Sequence, residues 1–322
     1  MNLRERISEV IERYLHPIPD DKRDSTHKFY YKDYRDNLIY PMAVNHFNEY
    51  SVADGGELEA KGKKPAKMAS ITSSSAMTFN LLGNSSIVMK EDQPFAAGTY
   101  DIAYEKQLLT LNKGSNPANL DAFLSNSDAG EAIFCEMKML EWISTPGALK
   151  EAYLNCDYYF SPCAYDVFSK IAHALRKSAN TNANNAYPSI FKQYDAWQMF
   201  KHTLAIYNAT SQTTKDDLSR KTGSMAGKFK KITLANVVFE MDTALVADED
   251  LRLKYAAALD REHQEADTFI QTMLSPENGL VKLFWEDCGV RFDIRYVPAH
   301  DFVAMFDKSN EELSYLKRYC CK

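Results

Sequence analysis

The stretch NLDAFLSNSDAGEAIFCEMKMLEW, residues 119–142, decides the fold. Two apolar runs, NLDAFLS and EAIFCEMKML, flank NSDAG, whose Asn, Ser, Asp and Gly are turn formers, so the segment reads as a β-hairpin. Side chains alternate along a strand, which sends Glu136 and Lys138 to one face and Cys135, Met137 and Met139 to the other. A two-residue turn on Asp128 and Ala129 sets Asp121 opposite Glu136; moving it to Ala129 and Gly130 sets Asp121 opposite Lys138. A three-residue loop reverses the parity and turns Asp121 away.

If the three side chains share a face, their chemistry is specific. Neighbouring carboxylates repel unless they share a proton or a cation, and hard divalent magnesium or manganese takes such oxygen ligands. Such an ion polarises a phosphodiester and activates bound water, with Lys138 orienting the nucleophile or stabilising charge on the phosphoryl oxygens. The plain alternative is that Glu136 and Lys138 are solvated positions on the open face of a sheet.

Outward from the hairpin, residues 3–15 carry Ile7, Val10, Ile11, Tyr14 and Leu15 on one helical face and stop at Pro17 and Pro19. Residues 53–67, ADGGELEAKGKKPAK, read as a surface loop. Around Glu105 the pattern Ile102, Tyr104, Leu108, Leu109, Leu111 suits strand or helix, and the Glu, Lys, Gln and Leu content tips it to helix. ALKEAYLN, residues 164–175, 192–208 and 249–273 read as helices. KITLANVVFEM, GLVKLFWEDC and VRFDIRYVP read as strands, followed by a short helix after Pro298. The order is mixed α/β without a repeat. It suggests one domain over residues 1–322, with a catalytic core at 95–242 and elaborations at 1–94 and 243–322.

With 322 residues, 38 Lys plus Arg against 44 Asp plus Glu and a net charge of -6, the chain has no global basic field to attract nucleic acid. Its six cysteines form no Cys-x-x-Cys pair, so a reducing, cytoplasmic setting is the expectation. No apolar run approaches the roughly 18 residues of a membrane span, and the charged start lacks the pattern of a signal peptide. Arg220 to Lys231, RKTGSMAGKFKK, is a basic passage able to touch phosphates, and Tyr158, Tyr159 and Phe160 offer either a stacking surface or ordinary core.

The ordered set Asp121, Glu136, Lys138 resembles the PD-(D/E)XK nuclease superfamily, the restriction-endonuclease-like group. That resemblance implies an α/β fold with a mixed central sheet flanked by helices, and peripheral helical and strand additions. Asp121 matches the first motif acid, and Glu136 and Lys138 match the acidic-x-Lys pair. Glu105 in YEKQ matches the helical carboxylate of many members. In KQYDAWQMFKH, Gln193 is the foremost match to the glutamine near the site, with Gln198 and His202 behind it. SITSSSAMTFNLLG resembles a segment of some bacterial branches, where Ser73, Ser74, Ser75 and Asn80 would donate to a phosphate or hold the local chain. Leu120 stands where the family label has proline, a change of backbone shape that removes no ligand. The resemblance implies a Mg2+ site, open to Mn2+, on Glu105, Asp121 and Glu136, with Lys138 and Gln193 completing a deoxyribonuclease site. DNA is the implied partner, RNA is left open, no membrane is involved, and a homodimer suits double-strand cleavage. The alternatives are an inactive nucleic-acid-binding or assembly protein, and a metal-dependent phosphatase for a small ligand.

Overall fold

The computed structural model describes residues 2–52, 56–90, 94–177, 186–215 and 223–319. Its strands are β1 (Ile87–Met89), β2 (Gly98–Leu108), β3 (Ala118–Asn126), β4 (Glu131–Lys138), β5 (Ala148–Lys150), β6 (Ala186–Pro188), β7 (Lys231–Val238) and β8 (Arg291–Pro298). Helices are α1 (Leu3–Tyr14), α2 (Val44–Val52), α3 (Ser74–Leu82), α4 (Pro162–Leu175), α5 (Ala196–Thr210), α6 (Glu249–Leu274), α7 (Leu280–Leu283), α8 (Ala299–Ala304) and α9 (Asn310–Leu316).

Six strands form one mixed sheet in the order β1-β2-β3-β4-β7-β8, antiparallel from β1 to β4 and parallel from β4 through β7 to β8. β5 and β6 make a separate antiparallel pair. Central β4 is buried at every residue but its last, as expected of a strand covered on both faces. Ile133, Cys135 and Met137 pack into one apolar layer with Ile7 of α1, Phe79 of α3 and Phe302 of α8. Ala132 and Phe134 pack into the other with Phe168 of α4 and Phe200 and Leu204 of α5. Helix α6 serves both layers, giving Leu251 and Tyr255 to the first and Ala266, Phe269 and Met273 to the second. Full burial of each such large side chain stabilises by about 1.5–3 kcal/mol before entropy costs, which is why the sheet is clad on both sides.

Turn chemistry selects the register of the hairpin. The Gly130 N–H donates to Ser127 O at 3.3 Å, closing a turn centred on Asp128 and Ala129, while the Asn126 side chain accepts the Ala129 N–H at 3.0 Å. Gly130 has φ 65°, a left-handed conformation that favours glycine. Pairs Asn126↔Glu131 through Ala122↔Cys135 follow, so continuing the register sets Asp121 opposite Glu136.

Three sequence expectations change. The segment around Glu105 is strand β2, because pairing with β1 and β3 overrides helix propensity; its apolar set already alternates as Tyr100, Ile102 and Tyr104. ALKEAYLN is β5 followed by a 3-10 turn, Glu151–Leu154, since β6 offers a partner edge. GLVKLFWEDC is α7 running into a π-turn, Phe284–Cys288, which lets Phe284 stack on Phe292 of β8 at 4.0 Å between ring centroids.

Among the described residues no helix is long and apolar enough to cross a membrane. Cys135, Cys156, Cys163 and Cys288 are free thiols, while Cys320 and Cys321 lie outside the described residues.

Candidate functional site

The site forms where the strand ladder lapses. Pairing of β2 with β3 stops between Tyr104↔Ala122 and Lys106↔Leu120, leaving Glu105 and Asp121 between the two pairs. Pairing of β3 with β4 ends at Ala122↔Cys135, just before Asp121 and Glu136. In place of a ladder bond, Asp121 Oδ2 accepts the Met137 N–H at 2.6 Å. Glu105 is the non-glycine residue with a positive φ, 49°, among the described residues. Such backbone costs about 1–3 kcal/mol and persists where surrounding structure enforces it, a pattern concentrated at functional sites.

Glu136 is 3 % exposed yet charged, because it is held on both oxygens. The Lys138 ammonium lies 2.7 Å from Oε1, and His202 Nε2 on α5 lies 2.8 Å from Oε2. Burial alone would raise its pKa; Lys138 and His202 outweigh burial and hold the carboxyl at about 2. A carboxylate can only accept, so His202 Nε2 carries the proton of that bond. Burial likewise works against the Lys138 ammonium, and the charges of Glu136 and Asp121 overcome it and raise it. Lys138 also donates to Gln198 Oε1 at 2.6 Å, fixing its direction toward α5.

The other carboxyls behave oppositely. Burial, followed by the charges of Glu136 and Glu105, pushes Asp121 well above the usual aspartate range. Burial, then Glu57 and Glu136, pushes Glu105 up to about 8, although it accepts a hydrogen bond from the Asn119 amide. Half-buried acids of raised pKa beside an ionised glutamate resist taking on further negative charge, a cost that a divalent cation would relieve.

By type alone, the carboxyl oxygens of Glu105, Asp121 and Glu136 are the hard donors that magnesium or manganese takes. Yet among the described residues no three His, Cys, Asp or Glu side chains are gathered as a metal-holding group. Both Glu136 oxygens are occupied by Lys138 and His202, with which a cation would compete.

Placement of the expected residues is uneven. Asp121, Glu136 and Lys138 come together, and Glu105 joins them from a strand instead of a helix. Gln193 lines a small cleft beside Lys138 and Gln198, but its amide is turned to α6, donating to Ala258 O at 2.7 Å and Glu262 Oε2 at 3.4 Å. It precedes the helix and is locked there; Gln198, in the first turn of α5, makes the contact with Lys138. Of the serine-rich segment, Ser73 caps α3 and Asn80 braces the fold through Asn37 O and the Tyr319 hydroxyl.

Glu57 was hidden in what reads as a surface loop. It is 8 % exposed, accepts from Ser75 Oγ at 2.7 Å and pairs with Lys67 at 2.7 Å, and its charge acts on Glu105. A single Glu among Gly and Lys residues carries no periodic signal that could have marked it. Of the basic passage, Lys231 pairs with Glu131 at 2.7 Å, and Arg220, Lys221 and Thr222 lie outside the described residues. Tyr159 is core, its hydroxyl donating to Tyr153 O.

A family model described as "Restriction Endonuclease associating with ARP" matches residues 8–224, well over half the chain. No curated protein and no solved structure matches. The matched span contains Glu57, Glu105, Asp121, Glu136, Lys138, Gln198 and His202, and ends before β7 and α6.

Proposed function

The chain belongs to the family of restriction endonucleases associating with ARP, and from that premise we propose that it is a metal-dependent DNA phosphodiester hydrolase. The observation that carries this reading is the convergence of Asp121, Glu136 and Lys138 at a break in the sheet, with Lys138 ion-paired to Glu136 at 2.7 Å. A divalent cation held by Glu105, Asp121 and Glu136 would supply Lewis-acid polarisation of the phosphate and acidification of water.

The side chains do the rest. Lys138, aimed by Glu136 and Gln198, holds the attacking water or the phosphoryl oxygens where negative charge develops. His202 keeps Glu136 in one rotamer by its hydrogen bond, and the Met137 N–H does the same for Asp121. Water oxygen bonds to phosphorus as the bond to a sugar oxygen breaks, and the proton lost by water is balanced by one gained at the leaving oxygen.

The test is Mg2+- or Mn2+-dependent cleavage of single- and double-stranded DNA and RNA by the native protein, Asp121→Ala and Lys138→Ala. Loss in both variants, with folding intact, supports the reading; equal cleavage by all three rejects it. The engagement of both Glu136 oxygens by Lys138 and His202 favours a second reading, a nucleic-acid-binding protein of this fold that does not hydrolyse. DNA retention without metal-dependent cleavage by the native protein selects that reading.

A further inference from the structure

A cavity of about 270 Å³ lies between α5, β5 and the chain before β3, beside the carboxylate network. Two residues make the junction. Gln198 lines both this cavity and the small cleft that contains Lys138, and it accepts the Lys138 hydrogen bond. His202, one turn further along the same helix, lines the cavity and bonds Glu136. A water molecule occupies about 30 Å³ of liquid volume, so the space admits a group of several heavy atoms.

The formal charge on the wall has one sign. Lys150 on β5 and Lys201 on α5 line the cavity, and among the described residues no Asp or Glu does. Neither lysine has a carboxylate within ion-pair distance among the described residues, unlike Lys138, which sits 2.7 Å from Glu136. Lys150 is exposed and Lys201 half-buried. Burial depresses Lys201; Asp195 and Glu136 pull it up, and Lys150 and Lys138 push it down again. An ammonium drawn partly out of water without a counter-charge is unfavourable, and an anion reaching both lysines relieves it.

Hydrogen bonding on the same wall suits an anion with several oxygens. Thr110 Oγ1 and Ser115 Oγ lie 2.7 Å apart, and Tyr153 adds its hydroxyl 2.9 Å from Thr110. With Thr110 donating to Ser115, the half-buried Ser115 hydroxyl keeps its own proton for a ligand. The turn that carries Ser115 has little room to shift: Gly114 has φ 78°, and a Cβ there would lie 2.7 Å from the Tyr158 ring.

Two ammonium groups, a hydroxyl donor and no carboxylate are the recognition chemistry of a phosphate group. We propose that this cavity is a phosphate-binding subsite with Lys150 and Lys201 as its counter-charges, and that the phosphate it takes is a backbone phosphate of the substrate strand next to the one being cleaved. Each strand of a duplex carries one charge per roughly 3.4 Å of helix axis, so a strand with a phosphate at Lys138 presents others to the adjoining wall. The assignment to the strand rests on the hydrolase reading; the phosphate site rests on the cavity alone.

The test uses the whole chain in EDTA, which prevents metal-dependent cleavage. Broadening of the phosphorus NMR resonance of inorganic phosphate, with ionic strength held constant by sodium chloride, reads the site. Fluorescence anisotropy of a labelled DNA duplex, titrated at several salt concentrations, reads its source. The native chain should broaden the phosphate resonance saturably, and Lys150→Gln combined with Lys201→Gln should reduce the broadening at least threefold. The same double variant should bind the duplex at least fivefold more weakly at low salt, with the slope of log K against log salt shallower by about 0.9, the worth of one phosphate. A lysine with a merely structural role would not move that slope. Melting curves check folding, Lys150→Gln alone at an exposed residue should weaken duplex binding at least twofold, and Lys150→Arg combined with Lys201→Arg should restore affinity and slope. Equal broadening by the native chain and the double variant overturns the site; lysine-dependent phosphate binding with an unchanged duplex slope overturns its assignment to the strand. The two readings fail separately. Lysine-dependent binding of phosphate and duplex by a chain that cleaves nothing removes only the hydrolase; cleavage by a chain whose phosphate and duplex binding ignore both lysines removes only the subsite.

Discussion

Replacing Lys138 with Met keeps most of the side chain's volume and removes the ammonium 2.7 Å from Glu136 Oε1. The pair is enclosed, with side chains 17 % and 4 % exposed, so the small values of surface ion pairs do not apply. Holding the Glu136 carboxyl at about 2, against an ordinary 4.5, is worth about 3 kcal/mol at roughly 1.4 kcal/mol per pH unit. Removing one partner of a buried pair costs about 3–5 kcal/mol by independent reckoning. His202 still holds Oε2 in the variant, so the expected loss is about 2–3 kcal/mol near neutral pH.

The sign follows from the depressed value: the stability Glu136 contributes is present above its ordinary 4.5 and is lost as pH falls through about 2. The deficit of Lys138→Met should therefore be full at neutral pH and shrink steadily below 4.5. Urea unfolding followed by circular dichroism over that range measures it, and Glu136→Gln combined with Lys138→Met should recover most of the loss. A deficit below about 0.5 kcal/mol at neutral pH, or one independent of pH, would refute the claim that Lys138 is what keeps Glu136 ionised.

Glu105 carries the opposite sign. Burial and the charges of Glu57 and Glu136 raise it to about 8, so its contribution is full below its ordinary 4.5 and is lost as pH rises through 8. The metal-free protein should lose Tm across that interval, Glu105→Gln should flatten the loss, and added Mg2+ should raise Tm more at the alkaline end, all readable by calorimetry. Gln198→Ala should lower the cleavage rate about tenfold by freeing Lys138, whereas Gln193→Ala should leave the rate alone and cost about 1 kcal/mol through its lost bond to Ala258 O. Gly130→Ala, at φ 65°, should destabilise the hairpin by about 1–2 kcal/mol in denaturant titration without shifting the metal dependence of cleavage.

The hairpin was legible because its information is local. NSDAG supplies turn formers, and period-2 alternation assigns Glu136 and Lys138 to one face whatever surrounds them. The long charged helix α6 and strands β7 and β8 were legible for the same reason, each carrying its own apolar period. Around Glu105 and in GLVKLFWEDC the local preferences were nearly balanced, and packing against β3 or β8 cast the deciding weight. Which glutamine meets Lys138 rests on a different ground: Gln193 and Gln198 are five residues apart, and only the start of α5 and the presence of α6 turn one toward Ala258 and the other toward Lys138.

Two carboxyls and a lysine with a common face are thus a property of strand geometry and one turn, written in residues 119–142. Their electrostatics are not. Glu136 ionises because Lys138 and, from α5, His202 hold it; Asp121 resists ionisation because burial sets it beside Glu136 and Glu105 of β2, and Glu105 in turn is raised by burial and by Glu57 from the N-terminal segment. Charge interactions fall off with distance and grow with burial, and both distance and burial exist only once the sheet and its two helical layers have closed around the site.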